Sequence, residues 1–229
     1  MMPGDADIAS IAALLADPTR AAMMLVLSDG RAFTASELAK SARVAPSTAS
    51  EHLGRLVESE LLAVVKQGRN RFYHLADPTI VEIMEGLARL APQVKTRTLR
   101  ASEHAKALHR ARMCYNHLAG TLGVLLTEAL VQRQILHVAD AGYVVEDEGI
   151  AWLHTFGIAS GPLKKRGLLF VPWHIDWSER KYHVAGALGA ALAGRLFELQ
   201  WLERHPSSRA VRLTTDGKTG MEQAFGLRF

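Results

Sequence analysis

The stretch of residues 34–75 restricts what this chain can fold into more than any other part of the sequence. Thr34 followed three residues later by Glu37 is a capping box, which predicts a short helix. A Pro-Ser-Thr start predicts a second helix from Pro46 onward, because proline is favoured at the first helical position. Two β-rich runs joined by Gly-Arg-Asn predict a hairpin over residues 63–75. The order helix, turn, helix, hairpin therefore predicts a small module with its own core.

Winged helix-turn-helix modules have this order of elements and bind double-stranded DNA. The second helix carries small polar side chains and Arg55, which can reach base edges in the major groove. The tip of the hairpin, residues 67–71, carries two arginines that can straddle phosphates. From the residues alone we therefore expect a DNA-binding function.

Composition limits the class of protein without naming a function. The chain has 229 residues, 48% of them apolar and 22% charged, which is typical of a globular protein and favours two domains. Its one cysteine, Cys114, excludes an internal disulfide and indicates a reducing compartment. No apolar run approaches the length that crosses a bilayer, and the N-terminus lacks the positive charge of a secretory signal. We therefore expect a cytoplasmic protein with no membrane partner.

The net charge of +4 is distributed unevenly along the chain. Residues 31–112 contain 14 Lys and Arg against 8 Asp and Glu, whereas residues 1–30 have a net charge of −3 and residues 113–229 of +1. The basic excess coincides with the predicted module, as a polyanionic partner requires. Solvated faces of this charge are also common in proteins that bind no nucleic acid, so the charge supports the module without defining its partner.

Three regions follow from the pattern along the chain: a winged helix-turn-helix over residues 1–92, a connecting helix over 93–112, and a sensing or dimerisation domain over 113–229. The last region repeats itself. The stretch His117–Gly123, with the sequence His-Leu-Ala-Gly-Thr-Leu-Gly, recurs 66 residues later as His183–Gly189. A repeated unit cannot bury its own apolar face, so the two copies should pack together. We expect an α+β fold that is mostly α, with a helical second domain that contains an internal duplication of a helix-strand-helix unit.

Four blocks of sequence together resemble the ArsR family of winged-helix repressors over about the first 90 residues. The blocks lie in the family's order at residues 16–20, 35–39, 46–56 and 66–75. The resemblance implies a homodimeric repressor that binds a palindromic operator and leaves it when an effector binds. Matched by position, it also implies DNA contacts from the recognition helix and the wing, made by Ser47, Thr48, Ser50, His52, Arg55, Arg69 and Arg71.

Two departures from the family pattern bear on structure and on sensing. Glu60 stands where the family usually has a glycine before the wing, so Glu60 is expected to adopt a left-handed backbone. The helix before the recognition helix carries no cysteine, and the helix over residues 77–90 carries no histidine. Neither familiar metal site of the family is therefore present, and an effector should act on the extension after Pro92.

The extension offers one set of metal-ligating side chains. Cys114 and His117 are three residues apart and would share a face of a helix, while His174, Asp176 and His183 come from the second copy. A thiolate with imidazole nitrogens is a donor set for zinc or another transition metal. The same residues also fit a structural role, with the histidines at helix starts and Cys114 as a small buried side chain. A redox-active Cys114 is a third alternative that the sequence leaves open.

A small organic effector is a further alternative to a metal. Aromatic side chains are spread over both copies, and a pocket between the copies would be lined by Tyr115, Trp152, Phe156, Trp173, Trp177, Tyr182 and Trp201. Aromatics at such spacing more often belong to a core. The stretches 114–120 and 176–180 are similar to those of a subgroup of ArsR-like regulators, but that resemblance supplies no ligand.

The sequence does not favour an enzyme, since it has no glycine-rich phosphate loop, no His-Glu-x-x-His and no nucleophile elbow. Two alternatives to an effector-controlled repressor stay open: a constitutive DNA-binding protein whose C-terminal domain only dimerises, and an enzyme with an accessory helix-turn-helix. For a homodimer, the first and fifth helices carry apolar stripes longer than a small core needs. The stripes contain Ile8, Ile11, Leu15, Ile80, Ile83, Met84 and Leu87.

Overall fold

The computed structural model describes residues 5–92, 98–159, 161 and 169–229, which form two compact units. Unit 1 comprises Met1–Met84 together with Pro206–Arg209. Unit 2 comprises Glu85–His205 together with Ala210–Phe229. The division falls inside the fifth helix, before the boundary at residue 92 that the sequence suggested.

Unit 1 has the winged helix-turn-helix fold that the sequence predicts. Its elements in chain order are α1 Ile8–Leu15, α2 Pro18–Leu27, β1 Phe33–Thr34, α3 Ala35–Ala42, α4 Pro46–Glu58, β2 Leu62–Gln67, β3 Asn70–Leu75 and the first part of α5 Thr79–Leu90. The strands form an antiparallel sheet in the order β1-β3-β2. Strands β2 and β3 pair from Leu62↔Leu75 to Gln67↔Asn70, so a two-residue turn forms the tip of the wing.

Local signals account for these element boundaries. The Asp17 side chain accepts hydrogen bonds from two backbone N–H groups at the start of α2, where Pro18 occupies the first position. Thr34 and Glu37 form both halves of the predicted capping box. Glu60 has a φ of 58°, which confirms that this residue takes the left-handed backbone expected before the wing.

The core of unit 1 is apolar and comes from four helices and the wing. Its fully buried side chains are Met23, Met24, Leu27, Leu38, Leu53 and Leu56. Helix α1 contributes no buried residue. Of the apolar stripe predicted on α5, Ile80 and Met84 are buried in the core, whereas Ile83 and Leu87 are exposed.

Unit 2 mixes helices and strands, and it has more strands than one in each predicted copy. Its elements are α6 Leu99–Arg110, β4 Arg112–Cys114, β5 His117–Ala119, α7 Gly120–Gln132, β6 His137–Ala139, β7 Gly142–Val145, α8 Asp147–Thr155, β8 Leu169–Ile175, β9 Tyr182–Val184, α9 Gly186–Glu198, β10 Leu202–Arg204, β11 Val211–Leu213 and α10 Thr215–Phe225. The strands are antiparallel and form three sheets, β4-β5, β6-β7-β8-β9 and β10-β11. Helix α6 lies within the predicted connecting helix, of which residues 93–97 fall outside the described part of the chain.

The histidines of the repeated His-x-Ala-Gly stretches do not lie on helices or at helix starts, which were the two placements that the sequence suggested. His117 lies on β5 and His183 on β9, and helices α7 and α9 begin three residues later, at Gly120 and Gly186. Gly120 has a φ of 78° and Gly186 a φ of 63°. A right-handed helix does not pass through a residue with positive φ, so α7 and α9 do not extend back to the histidines. Leucines of α7 and α9 then enter one shared core within unit 2.

Among the described residues, no single helix is both long enough and apolar enough to span a membrane. Helices α1 and α2, which are bent against each other, reach that length and apolarity only when they are counted together.

Candidate DNA-binding surface and candidate metal site

Helix α4 separates an apolar face from a polar one. Its buried residues, Ala49, Leu53 and Leu56, recur at intervals of four and three, so they share one face and pack into the core of unit 1. Ser47, Ser50 and Arg55 are exposed, and Thr48 is half-buried. The sequence-predicted recognition residues therefore lie on the solvent side of α4, except for one.

The exception is His52, whose side chain is 15% exposed. Its Nδ1 lies 3.3 Å from Nη1 of Arg20 and 3.8 Å from Oδ1 of Asp17. Arg20 is itself held by the carbonyl oxygens of Ala13 and Leu14. His52 therefore anchors α4 to α2, and the structure does not place it with the exposed residues that the sequence assigned to DNA.

The polar groups on the exposed face of α4 make only local contacts. Arg55 donates to Glu51, one helical turn earlier, over 2.8 Å, and both side chains are more than half exposed. Exposed ion pairs of this kind contribute little to stability, so Arg55 can exchange Glu51 for another acceptor at small cost. The hydroxyl of Ser50 donates to the Pro46 carbonyl over 2.9 Å, which leaves its oxygen able to accept.

The wing is positively charged at its tip. Arg69 and Arg71 are both exposed. Arg71 stands directly opposite Lys66 across the β2–β3 ladder, and residues 62–75 contain no acidic side chain. Like charges in directly opposed positions destabilise a hairpin. An external polyanion would relieve that repulsion.

In unit 2 the structure brings together four of the five side chains named as metal ligands. Each of Cys114, His117, His174 and His183 offers one ligand atom, and these four atoms all lie within 4.8 Å of one another. Cys114 and His117 are cross-strand partners on β4 and β5, and His174 and His183 are cross-strand partners on β8 and β9. Two β-hairpins, rather than a helical face, therefore bring the side chains together.

Three of the four side chains in the cluster are closed to solvent, His174 is half-buried, and the cluster contains polar atoms without partners. Cys114 and His183 are 0% exposed and His117 is 2% exposed. Among the described residues, Nε2 of His117 and both ring nitrogens of His183 have no hydrogen-bond partner. Nδ1 of His117 lies 3.4 Å from Oδ1 of Asn116, and Sγ of Cys114 lies 4.0 Å from Nδ1 of His174. Complete burial of Cys114 also argues against a solvent-accessible redox thiol.

Electrostatics keep the two buried histidines neutral. Burial, reinforced by His183 and His174, lowers the pKa of His117 well below its usual value. Burial also lowers the pKa of His183 to about 4, although Asp176 opposes the shift. Neutral imidazole is the form whose free nitrogen can bind a metal.

Asp176, the fifth residue named as a ligand, lies outside the cluster. One carboxylate oxygen accepts from Nη2 of Arg112 over 2.8 Å and from the Gly120 N–H over 2.6 Å. The other accepts from the Ser178 hydroxyl and from the N–H groups of Ser178 and Glu179. Burial alone would raise the pKa of this carboxyl, but Arg112 and these donors hold it well below its usual value. Asp176 is therefore a buried structural anchor.

The aromatic residues do not line one pocket in the described part of unit 2. Trp152, Phe156 and Trp201 belong to one cluster, in which Trp152 stacks on Phe156 with ring centroids 5.0 Å apart. Trp173 stacks on Tyr182 at 4.2 Å in a second cluster. Trp177 packs elsewhere, with the Arg112 guanidinium 4.5 Å from its ring. These separate contacts do not support the alternative of an organic-ligand pocket lined by all of these aromatic residues.

Comparisons with known proteins bear on the whole chain and on unit 1. A family model described as a helix-turn-helix domain matches residues 15–65. The HTH-type transcriptional regulator YdfF of Bacillus subtilis (strain 168) is 41% identical over 222 residues, which cover 97% of this chain and 98% of YdfF. HlyU from Vibrio cholerae is 25% identical with a TM-score of 0.37, over 41% of this chain and all of the HlyU chain. The cadmium metal-sensor CMTR from Mycobacterium tuberculosis is 30% identical with a TM-score of 0.33, over 40% of this chain and 94% of the CMTR chain.

Proposed function

This chain belongs to the family of HTH-type transcriptional regulators that includes YdfF, and we propose that it binds a specific DNA operator with α4 and the wing. Helix α4 enters the major groove, where Ser47, Ser50 and Arg55 contact base edges. Arg69 and Arg71 of the wing contact phosphates on either side of the tip. Thr48 lies at the edge of this surface, and His52 supports it from behind by holding α4 on α2.

The observation that carries this proposal is the opposed pair Lys66↔Arg71. A hairpin optimised for stability alone would place an acid opposite an arginine, since opposed unlike charges stabilise a ladder. Here the repulsion is retained at an exposed tip of the winged helix-turn-helix unit. A phosphate backbone supplies the missing negative charge, and each contact releases condensed counterions.

We further propose that the protein acts as a homodimer on a palindromic operator. Helix α1 contains no buried residue although most of its residues are apolar, and Ile8 is 72% exposed. On α5, Ile83, Leu87 and Leu90 are 52%, 45% and 86% exposed. A second copy would cover these apolar faces and set two recognition helices one DNA turn, roughly 34–36 Å, apart.

Sedimentation at micromolar concentration tests the dimer. The wild-type protein should sediment at twice the 25.1 kDa chain mass. Ile83→Glu combined with Leu87→Glu should shift it to the monomer, because two charges cannot be buried unpaired in an apolar interface. Val138→Glu, at a 67% exposed position of unit 2, is the matched control and should stay dimeric. A wild-type monomer would contradict the proposal.

The regulatory part of the proposal is that unit 2 is a duplicated domain that responds to an effector. Without the effector the protein represses, and when the effector binds the protein leaves the operator. Backbone features recurring at the sequence offset of 66 residues support the duplication. Gly120 and Gly186 both have a positive φ, and so do Gln134 and Gln200, at 58° and 57°. In both copies a hairpin precedes a 13-residue helix, α7 or α9. An effector acts only by binding one arrangement of the dimer more tightly than another.

Selection of bound duplexes from a random library tests the central function. The wild-type protein should enrich one palindromic sequence. Arg55→Ala should relax the preference at one position per half-site, because a lost base contact costs about 1–3 kcal/mol. Arg133→Ala, an exposed arginine in unit 2, should leave the enriched sequence unchanged. Failure of the wild-type protein to enrich any sequence would contradict operator recognition.

A further inference from the structure

The buried cluster in unit 2 has features that core packing alone does not explain. Four side chains with ligand atoms converge from two hairpins, and those of Cys114, His117 and His183 are sealed from solvent. We infer that Cys114, His117, His174 and His183 form a binding site for one tetrahedral transition-metal ion of the zinc type. This inference goes beyond the proposed DNA-binding function and does not depend on it.

The first argument is geometric. Zinc bonds of about 2.0–2.1 Å to nitrogen and about 2.3 Å to sulfur place the ligand atoms of a tetrahedron roughly 3.3–3.6 Å apart. The four ligand atoms here lie within 4.8 Å of one another, and Sγ of Cys114 is 4.0 Å from Nδ1 of His174. A contraction of about 1 Å or less per side chain completes the tetrahedron. Small rotations about side-chain torsions provide a movement of that size.

The second argument comes from hydrogen bonding. Buried imidazoles normally satisfy both ring nitrogens, because an unpaired polar atom in the core is costly. Within the described residues, Nε2 of His117 and both ring nitrogens of His183 lack a partner, and these side chains are almost completely buried. Nδ1 of His117 faces Oδ1 of Asn116, which is the outer contact that leaves Nε2 free to bind a metal. A bound ion would take the lone pair of one unprotonated ring nitrogen of each histidine, in place of the hydrogen-bond donor that the core does not supply.

The donor atoms select the kind of ion. One thiolate and three imidazoles suit zinc and similar borderline or soft ions, whereas calcium and magnesium require oxygen ligands. The carboxylate that the sequence suggested as a fifth ligand, Asp176, has both oxygens engaged by Arg112 and by local donors. Four protein ligands also leave no open position, which is typical of a structural or sensing zinc site rather than a catalytic one.

The position of the site predicts its effect on the protein. Each hairpin contributes two ligands, so an ion connects β4-β5 to β8-β9, the strands that precede α7 and α9. An ion that binds the folded form more tightly than the unfolded chain stabilises unit 2. The four tryptophans, Trp152, Trp173, Trp177 and Trp201, all lie in unit 2, so their fluorescence reports its unfolding without a contribution from unit 1.

The experiment uses the full chain, freed of metal by a chelator and titrated with Zn²⁺ and with Co²⁺. We expect one ion per chain, an intense tetrahedral cobalt spectrum with a thiolate-to-cobalt band, and a higher midpoint in tryptophan-detected melts. Magnesium should give no shift. His154→Ala, at an exposed histidine of α8, is the matched control and should behave as wild type.

Variants of the ligands decide between metal binding and simple packing. Cys114→Ser should lose the thiolate-to-cobalt band and bind Zn²⁺ at least tenfold more weakly. Cys114→Ser can lower the melting midpoint by disturbing the core, so His183→Gln serves as a second test. For both variants the readout is the shift in midpoint that zinc causes, and not the midpoint itself. Loss of that shift in both variants supports the site. A wild-type chain that binds no stoichiometric Zn²⁺ or Co²⁺, or ligand variants that bind like wild type, would overturn it.

Discussion

Asp176→Asn should destabilise unit 2 more than any exposed charge change, because Asp176 anchors a buried guanidinium. Arg112 and Asp176 are both 0% exposed and 2.8 Å apart. Removing one partner of a buried pair costs about 3–5 kcal/mol, since the other charge stays in the core. Glu85 lies 3.7 Å from the same nitrogen of Arg112 and retains part of the compensation. We therefore expect a loss near the lower bound, about 3 kcal/mol.

The assay is thermal and urea unfolding followed by tryptophan fluorescence, which reports on unit 2 alone. For a chain of this size, about 3 kcal/mol corresponds to a fall in the melting midpoint of roughly 6–12 °C. Glu103→Gln is the matched control, since Glu103 pairs with Lys106 at a comparable 2.9 Å but at the surface. It should leave the midpoint unchanged. If Asp176→Asn also melted at the wild-type temperature, the anchoring role would be wrong.

Two further predictions concern the backbone. Glu60→Gly should raise the free energy of unfolding by about 1 kcal/mol, because Glu60 holds a left-handed backbone. Glu58→Gly, at the end of α4, should lower it by a similar amount. Urea denaturation followed by far-UV circular dichroism, which reports on both units, compares the two variants, and equal signs would contradict the argument. Gly123→Ala should destabilise by about 1–3 kcal/mol, because the new Cβ would press on the Leu118 carbonyl oxygen. Gly194→Ala, whose Cβ would meet no heavy atom within 4 Å, should instead stabilise by about 1 kcal/mol in the same assay, and loss of stability there would refute it.

The sequence predicts unit 1 well because its signals are local. The capping box of α3 and the hairpin of the wing each depend on residues that lie close together in the chain, and both are found where expected. The left-handed Glu60 was also predictable, because the family that the sequence resembles usually has a glycine at this position before the wing. The role of His52 was not, because its contact with Arg20 joins residues 32 positions apart.

Unit 2 was harder to predict because its strands are short and their partners are distant. Strands of three residues carry too little alternation to be distinguished from a helix start, which is why His117 was assigned to α7 instead of β5. The residue types of the metal cluster were recognisable, but the pairing that brings them together was not. Asp176 was included among the ligands because sequence alone could not show that Arg112, 64 residues earlier, engages it.

The salt dependence of DNA binding tests the central claim most directly. The logarithm of the association constant should fall linearly with the logarithm of salt concentration for the wild-type protein, with a slope set by the number of phosphate contacts. Arg71→Ala should reduce the magnitude of that slope by about one unit on every duplex tested, because a phosphate contact reads no base. Arg133→Ala, in unit 2, should leave the slope unchanged. Equal slopes for the wild type and Arg71→Ala would contradict the assignment of the wing to the DNA backbone.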